Sequence, residues 1–329
     1  MVASPLSLRA TVLATVFVLV PQPASAAANC QCYLSNGSQP QYFANHQFLD
    51  FRNIANPQTP DPIDDEATAL AAGVAHPYFS SSPFADTWSV QAWTATGGSY
   101  DNTYSKNDVY IAANADEAPQ SATYVSLRTV RHDTYQESAE IQTVSASYQY
   151  VSMRMYARTR GDPGAVTAMF TYRGGATDAD VQEADLEILT SDDAADDQAH
   201  YTNQPSIANG VSRAGATSQV TIPAWTEWRT HRYDWSRGTS TWYVDGVQVN
   251  QNTYQAPVDP ATLLFNVWSD GGSWSGNMAV GGSAAMDVQW IEILYNNTDF
   301  PTQYAQCDDV CSIDDSTSLG VPVLVSSGS

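Results

Sequence analysis

Three acids recur at every second position in "VQEADLEILT" (Val181–Thr190): Glu183, Asp185 and Glu187, with Ala184, Leu186 and Ile188 between them. A strand alternates its faces with a period of two, so this spacing sets the carboxyls on one side and the apolar residues on the other. Three like charges in a row repel, and a strand that only had to fold has no use for them. Such a row can do nucleophilic and acid–base chemistry at an acetal carbon. Cleaving a glycosidic bond takes two carboxyl groups, and one of them must hold a proton for the leaving oxygen. Crowding supplies that condition, because a neighbouring negative charge raises a carboxyl pKa, and a third acid tunes both. Four residues of strand separate the Glu183 and Glu187 Cα atoms by about 13 Å. A retaining pair needs its carboxyl groups about 5–5.5 Å apart. Two long side chains leaning together on a concave sheet close much of that gap. The competing explanation is a solvated strand face whose acids deter aggregation.

Other catalytic patterns are missing. There is no G-x-S-x-G, no H-E-x-x-H and no phosphate loop. The five histidines (His46, His76, His132, His200 and His231) are scattered.

The elements that must hold the acidic row are strands. From about Val90 onward come "SATYVSLRTV", "YQYVSMRMYARTR", "GAVTAMFTYR", "SQVTIPAW", "TEWRTHRYDW", "STWYVDGVQVN", "ATLLFNVWS" and "AMDVQWIEILYN". These runs are rich in β-branched and aromatic residues, and most are bounded by Gly, Pro, Asp or Asn. In the second run Val151, Met153 and Met155 share a face. Asp245-Gly246 is a two-residue hairpin signal. The one helix candidate is "DDEATALAAG" (Asp64–Gly73), about two turns with acids at its start. A dozen or so strands in one chain predict an all-β sandwich of two antiparallel sheets. Residues 27–75 are expected to wrap that sandwich as an extended segment. The domain itself is expected over 76–311, followed by a Ser-rich, disordered tail over 312–329.

The chain has 329 residues, 35 acids against 13 bases and a net charge of −22. A surface this negative repels nucleic acid and anionic lipid, which leaves an uncharged polymer such as a neutral polysaccharide as the expected partner. Residues 1–26 read as a signal peptide: Arg9, the apolar run "TVLATVFVLV", then "PQPASA", with cleavage after Ala26 or Ala28. The apolar run is too short to span a bilayer, and no later segment is apolar enough. Secretion to the extracellular space or cell wall is therefore expected. The four cysteines, Cys30, Cys32, Cys307 and Cys311, read as two disulfides. A Cys30–Cys32 ring would be strained, so pairing between the two ends is expected. Asn36 and Asn296 head glycosylation sequons. No cofactor is expected; a structural calcium is a minor option, prompted by the acidic run Ser191–Asp197.

"EADLE" resembles the E-x-D-x-E strand of glycoside hydrolase family 16 in its regular, unbulged form. The downstream order strengthens the likeness: "THRYDWSRGTSTWYVDGVQV" (Thr230–Val249), "PATLLFNVWSDGGSW" (Pro260–Trp274) and "AMDVQWIEILYN" are similar to family segments. The likeness runs from Ser121 to Asn296. It implies a concanavalin A-like β-jelly roll of two curved antiparallel sheets. By this resemblance Glu183 is the nucleophile, Asp185 the assisting acid and Glu187 the general acid/base. "YTNQPS" (Tyr201–Ser206) resembles a sugar-contacting element, which implies Asn203 and Tyr201 in the cleft; Trp268 and Trp274 are stacking candidates. Trp225, Trp228, Trp235, Trp242 and Trp290 are expected to be structural. Where many members carry A-F-W, this chain has Ala168-Met169-Phe170. The implied activity is a secreted, retaining endo-β-1,3/1,4-glucanase acting as a monomer. The alternatives are a glucan or chitin transglycosylase on the same site and a non-catalytic lectin.

Overall fold

The computed structural model describes residues 29–191, 196–300 and 307–327. The leader-like residues 1–26 and most of the Ser191–Asp197 run lie outside the described residues.

Two antiparallel sheets face each other. The first runs in the order Trp88–Val90, Tyr135–Thr143, Thr262–Trp268, Val166–Arg173, Gln182–Leu189, Gln198–Gln204 and Thr217–Thr221. The second runs Val247–Asn252, Thr239–Val244, Arg229–Ser236, Tyr148–Gly161 and Ser283–Asn297. Beside Ser283–Asn297 lie Thr123–Arg131 along one half and Asn45–Asp50 along the other, with Val109–Ala113 beyond the former. Strand Tyr135–Thr143 bridges the sheets, because its start also pairs with Thr123–Arg131 and with Asp101–Tyr104. This is the jelly-roll sandwich the family resemblance implies.

Alternation decides what lies between the sheets. Leu186, Met153, Met155, Tyr233, Trp242, Phe265 and Ile291 are buried together in one core. Each large apolar side chain removed from water contributes roughly 1.5–3 kcal/mol. Trp225, Trp235 and Trp242 belong to that core, while Trp228 and Trp290 pack against Tyr156 on the second sheet. The Asp245-Gly246 turn forms as expected, with φ of 49° and 79°, the left-handed pair a tight hairpin requires. The short helix Glu66–Leu70 starts at Asp65, whose side chain accepts from the Thr68 N–H.

Both ends of the chain are more ordered than their composition suggests. The expected extended coil over 27–75 instead contributes Asn45–Asp50 as a strand of the second sheet. It also contributes Cys32–Ser35 and Gln41–Phe43 to a small separate sheet. The expected disordered tail is likewise corrected: Val310–Ser312 pairs in parallel with Cys32–Ser35, and Val323–Ser326 pairs with Val310–Ser312. Distant partners supply the order. Disulfides join Cys30 to Cys311 and Cys32 to Cys307, as the ring-strain argument anticipates for end-to-end pairing. Ile313 is buried beside Phe43 and Leu294. Asp314 takes the Arg154 guanidinium at 2.6 Å, which holds its carboxyl below the usual range despite partial burial.

Candidate active site

The acidic strand is regular over its whole length, with no bulge in its register to either neighbour. Ala184, Leu186 and Ile188 enter the core. Glu183, Asp185 and Glu187 therefore share the opposite face, and all three line one cavity of ≈ 400 Å³. Across the strand pairs they meet Tyr172, Phe170 and Ala168 on one side and Gln204, Thr202 and His200 on the other. Glu183 also borders a larger cavity of ≈ 770 Å³; Phe170, Asn266 and Trp268 line both. The two cavities make one cleft across the first sheet, with the acids toward one end.

The three carboxyls differ in their surroundings. Asp185 is almost fully buried. Its Oδ2 accepts from Gln204 Nε2 at 3.0 Å, and its Oδ1 meets no N–H or O–H donor. The Glu183 carboxyl is its near neighbour and interacts with it by charge and hydrogen bond. Burial first, then the Glu183 charge and this hydrogen bond, push Asp185 well above the usual carboxylate range. Glu183 is pushed up to about 7, chiefly by burial and also by the Glu187 charge, while the Asp185 hydrogen bond works in the opposite direction. Glu187 is pushed up to about 8 by burial and the Asp185 charge, against a lowering from Trp274. Trp274 Nε1 donates to Glu187 Oε1 at 3.2 Å, and its ring packs edge-on against His200, with centroids 4.8 Å apart. Among the described residues, no arginine or lysine contributes to any of the three. The result is three carboxyls on one face, each raised above the usual range by burial and by its neighbours.

Trp268 and Trp274 line the smaller cavity. Tyr201 and Asn203 do not. Tyr201 is fully buried in the core against Trp242, with centroids 5.3 Å apart. Asn203 is fully buried, and its amide donates to the Tyr254 carbonyl at 2.9 Å. The reason is parity. In Gln198–Gln204 it is His200, Thr202 and Gln204 that sit opposite Glu187, Asp185 and Glu183, and a shift of one residue moves a side chain to the other face. Gln204, which the resemblance passed over, is the side chain that meets Asp185. Its Oε1 accepts from the Ser206 N–H at 2.7 Å, which fixes the amide so that its N–H₂ points at Asp185.

Residues 88–292 match the family described as glycosyl hydrolases family 16. This chain belongs to that family and is a glycoside hydrolase, acting on O-glycosyl bonds. It is 25% identical over 239 residues to a β-glucanase of Paenibacillus polymyxa, covering 70% of this chain and 97% of that protein. It is 24% identical over 203 residues to a β-glucanase of Bacillus licheniformis, covering 60% and 79%. Among solved structures, a prokaryotic β-1,3-1,4-glucanase (lichenase) from a mouse hindgut metagenome aligns with a TM-score of 0.51 at 15% identity, over 77% of this chain and 99% of that one. At that identity the structural likeness bears on the fold alone.

Proposed function

We propose that the protein is a secreted, retaining endo-β-glucanase that cuts β-1,3/1,4-linked glucan by double displacement. The observation that carries this is the Glu183–Asp185–Glu187 row on the floor of an open cleft, with its protons held by burial and crowding. The relatives' β-glucanase names support the substrate class. The Glu183 carboxylate attacks the anomeric carbon while Glu187 gives its proton to the departing glycosidic oxygen. The products are a glycosyl ester on Glu183 and a free sugar hydroxyl. Glu187, now ionised, takes a proton from water, whose oxygen attacks the same carbon and releases Glu183. Asp185 holds a proton against Glu183 and stabilises its carboxylate each time it is freed. Two carboxyls suffice for both steps, so no cofactor is needed. The leader-like residues 1–26 and the two disulfides support export.

The test is product analysis with laminarin, mixed-linkage β-glucan and chitin oligomers, with Glu183→Gln as control. Shorter oligosaccharides, absent from the control and first released as the β-anomer by NMR, are the expected result. Release as the α-anomer overturns retention, and longer or mixed oligosaccharides reassign the protein as a transglycosylase. No product on any substrate, with equal binding by both proteins, leaves a lectin.

A further inference from the structure

A separate cavity lies on the other side of the sandwich from the cleft. In the second sheet Leu127, Met286 and Ala157 enter the core. Alternation therefore turns Arg128, Ala285 and Arg160 to the outer face. These three stand in one row, because Ala285 pairs with Arg128 on one side and with Arg160 on the other. Two strand spacings put the arginine Cα atoms about 10 Å apart, with only a methyl group between them. The gap belongs to a cavity of ≈ 250 Å³, also lined by Tyr110 and Tyr124. The chain has 35 acids against 13 bases, yet among the described residues two arginines and no acid line this cavity.

The donors around it are not used up. Arg128 is 8% exposed. Its Nε donates to Asp108 and its Nη1 to the Pro60 carbonyl, while its Nη2 is buried without a partner. Arg160 holds Asp287 through Nε at 2.6 Å and Nη2 at 3.3 Å, which leaves its Nη1. Among the described residues the Tyr110 hydroxyl also has no hydrogen-bond partner, and Arg128 Cζ stands 5.3 Å from the Tyr110 ring centroid. The two carboxylates behind the arginines, Asp108 and Asp287, are fully buried and already taken by them, Asp287 by Arg158 as well. Buried donors without an acceptor cost free energy unless something supplies one. Guanidinium forks match the oxygens of carboxylate and phosphate.

Size and charge narrow the ligand. The cavity is smaller than the roughly 300–1,000 Å³ of sites for drug-sized molecules, so it takes a body about one sugar ring in size. A net charge of −22 repels a polyanion, which leaves a small molecule. We propose that this cavity binds a small molecule bearing one oxyanion group, a carboxylate or a phosphate, held between Arg128 and Arg160 with Tyr110 donating alongside. Tyr110 and Tyr124 flank its body. The site lies on the opposite sheet from Glu183, Asp185 and Glu187, so it does not depend on the glucanase reading.

Isothermal titration of the whole protein with glucuronate, inorganic phosphate and glucose, at low salt, tests it. One equivalent of glucuronate or of phosphate is expected to bind, and glucose is not. Glucuronate alone marks a carboxylate site, phosphate alone a phosphate site, and both together a general oxyanion site. Arg160→Gln is expected to weaken binding about tenfold or more, and Tyr110→Phe about two- to tenfold. Glu183→Gln should bind as the unaltered protein does. Tyr110→Phe removes only a hydroxyl, so it decides the matter if Arg160→Gln does not fold. Binding of neither anion overturns the site, as does equal binding by Arg160→Gln and Tyr110→Phe. Glucose binding as tightly as glucuronate removes the oxyanion role, and a loss in Glu183→Gln moves the ligand to the cleft.

Discussion

Two clusters of buried carboxyls sit in this sandwich, and they are compensated in opposite ways. In the cleft, Glu183, Asp185 and Glu187 are met by neutral donors, Gln204 and Trp274. Where residues 60–66 cross the bridging strand, Asp108 lies beside Glu137, and burial first, then the hydrogen bond with Glu137, pushes the Asp108 carboxyl well above the usual range. That second cluster has a cationic partner in Arg128. Arg128 Nε donates to Asp108 Oδ1 at 2.7 Å and its Nη1 to the Pro60 carbonyl at 2.8 Å. His132 lies between Glu137 Oε2 at 3.2 Å and Asp64 Oδ1 at 3.0 Å. Its site is filled by the chain's own backbone: Glu137 accepts from the Ile63 N–H at 2.9 Å. Burial raises carboxyl pKa values in both places, so a raised pKa by itself does not mark chemistry. The marks of chemistry are the missing cation and the open cavity. One cluster clamps the N-terminal segment; the other is left uncompensated where substrate enters.

The largest effect that separates the two is on turnover. Glu183→Gln is expected to reduce kcat by about 10⁴-fold or more without disturbing the fold, because it deletes the nucleophile. A variant retaining a tenth of the activity would remove the nucleophile from Glu183. Arg128→Met tests the other side. It leaves the Asp108–Glu137 pair buried without its guanidinium and is expected to cost about 3 kcal/mol of stability. Urea denaturation reads that loss, and kcat on short substrates should stay near normal. An activity loss as large as that of Glu183→Gln would break the distinction between clamp and active site.

Stability against pH gives a finer test. Glu187 is raised in the folded protein from the ordinary 4.5 to about 8, so the folded state binds its proton more tightly than the unfolded chain. The stability this contributes is full below about pH 4.5 and is lost as pH rises to about 8. At pH 8 the ionised group opposes folding. Glu187→Gln, which cannot ionise, is therefore expected to be more stable than the unaltered protein at pH 8, by about 1 kcal/mol once solvent screening at the open cleft is allowed for. At pH 4 the two should match. Thermal melts at the two pH values decide it; a variant equally or less stable at pH 8 would mean that the cleft does not hold Glu187 protonated.

These contrasts divide along the same line as what was legible in the sequence. The acidic row could be read because its signal is local: a period of two with Ala184, Leu186 and Ile188 marking the buried side. The Asp245-Gly246 turn and the end-to-end disulfides were also readable, one from backbone conformation and the other from ring strain. Tyr201 and Asn203 were misplaced because motif likeness outweighed parity. Ala199 and Tyr201 already mark the core face of that strand, and His200, Thr202 and Gln204 the cleft face. Asn203 falls on that core face by the same alternation, and its amide serves the backbone of the turn near Tyr254, a contact about fifty residues away in sequence. The tail misled for the same reason: its serines suggest disorder, while its order comes from Arg154, Phe43 and two disulfides.

The smallest effect bears most directly on how neutral donors tune an uncompensated cluster. Ionisation of Glu183 at about 7 and of Glu187 at about 8 predicts a narrow bell for kcat/KM. The rate falls on the acid side as Glu183 gains a proton and on the alkaline side as Glu187 loses one. Trp274 stabilises ionised Glu187 through its N–H, which lowers that pKa. Trp274→Phe keeps an aromatic ring against His200 and removes the donor. The alkaline limb is then expected to move to higher pH by less than about one unit, with the acid limb unmoved. A shift to lower pH would mean that Trp274 acts on Glu187 by burying it, not by donating to it. Movement of both limbs together would mean that Glu187 and the Glu183–Asp185 pair titrate as one unit, and the division of roles within the row would have to be redrawn.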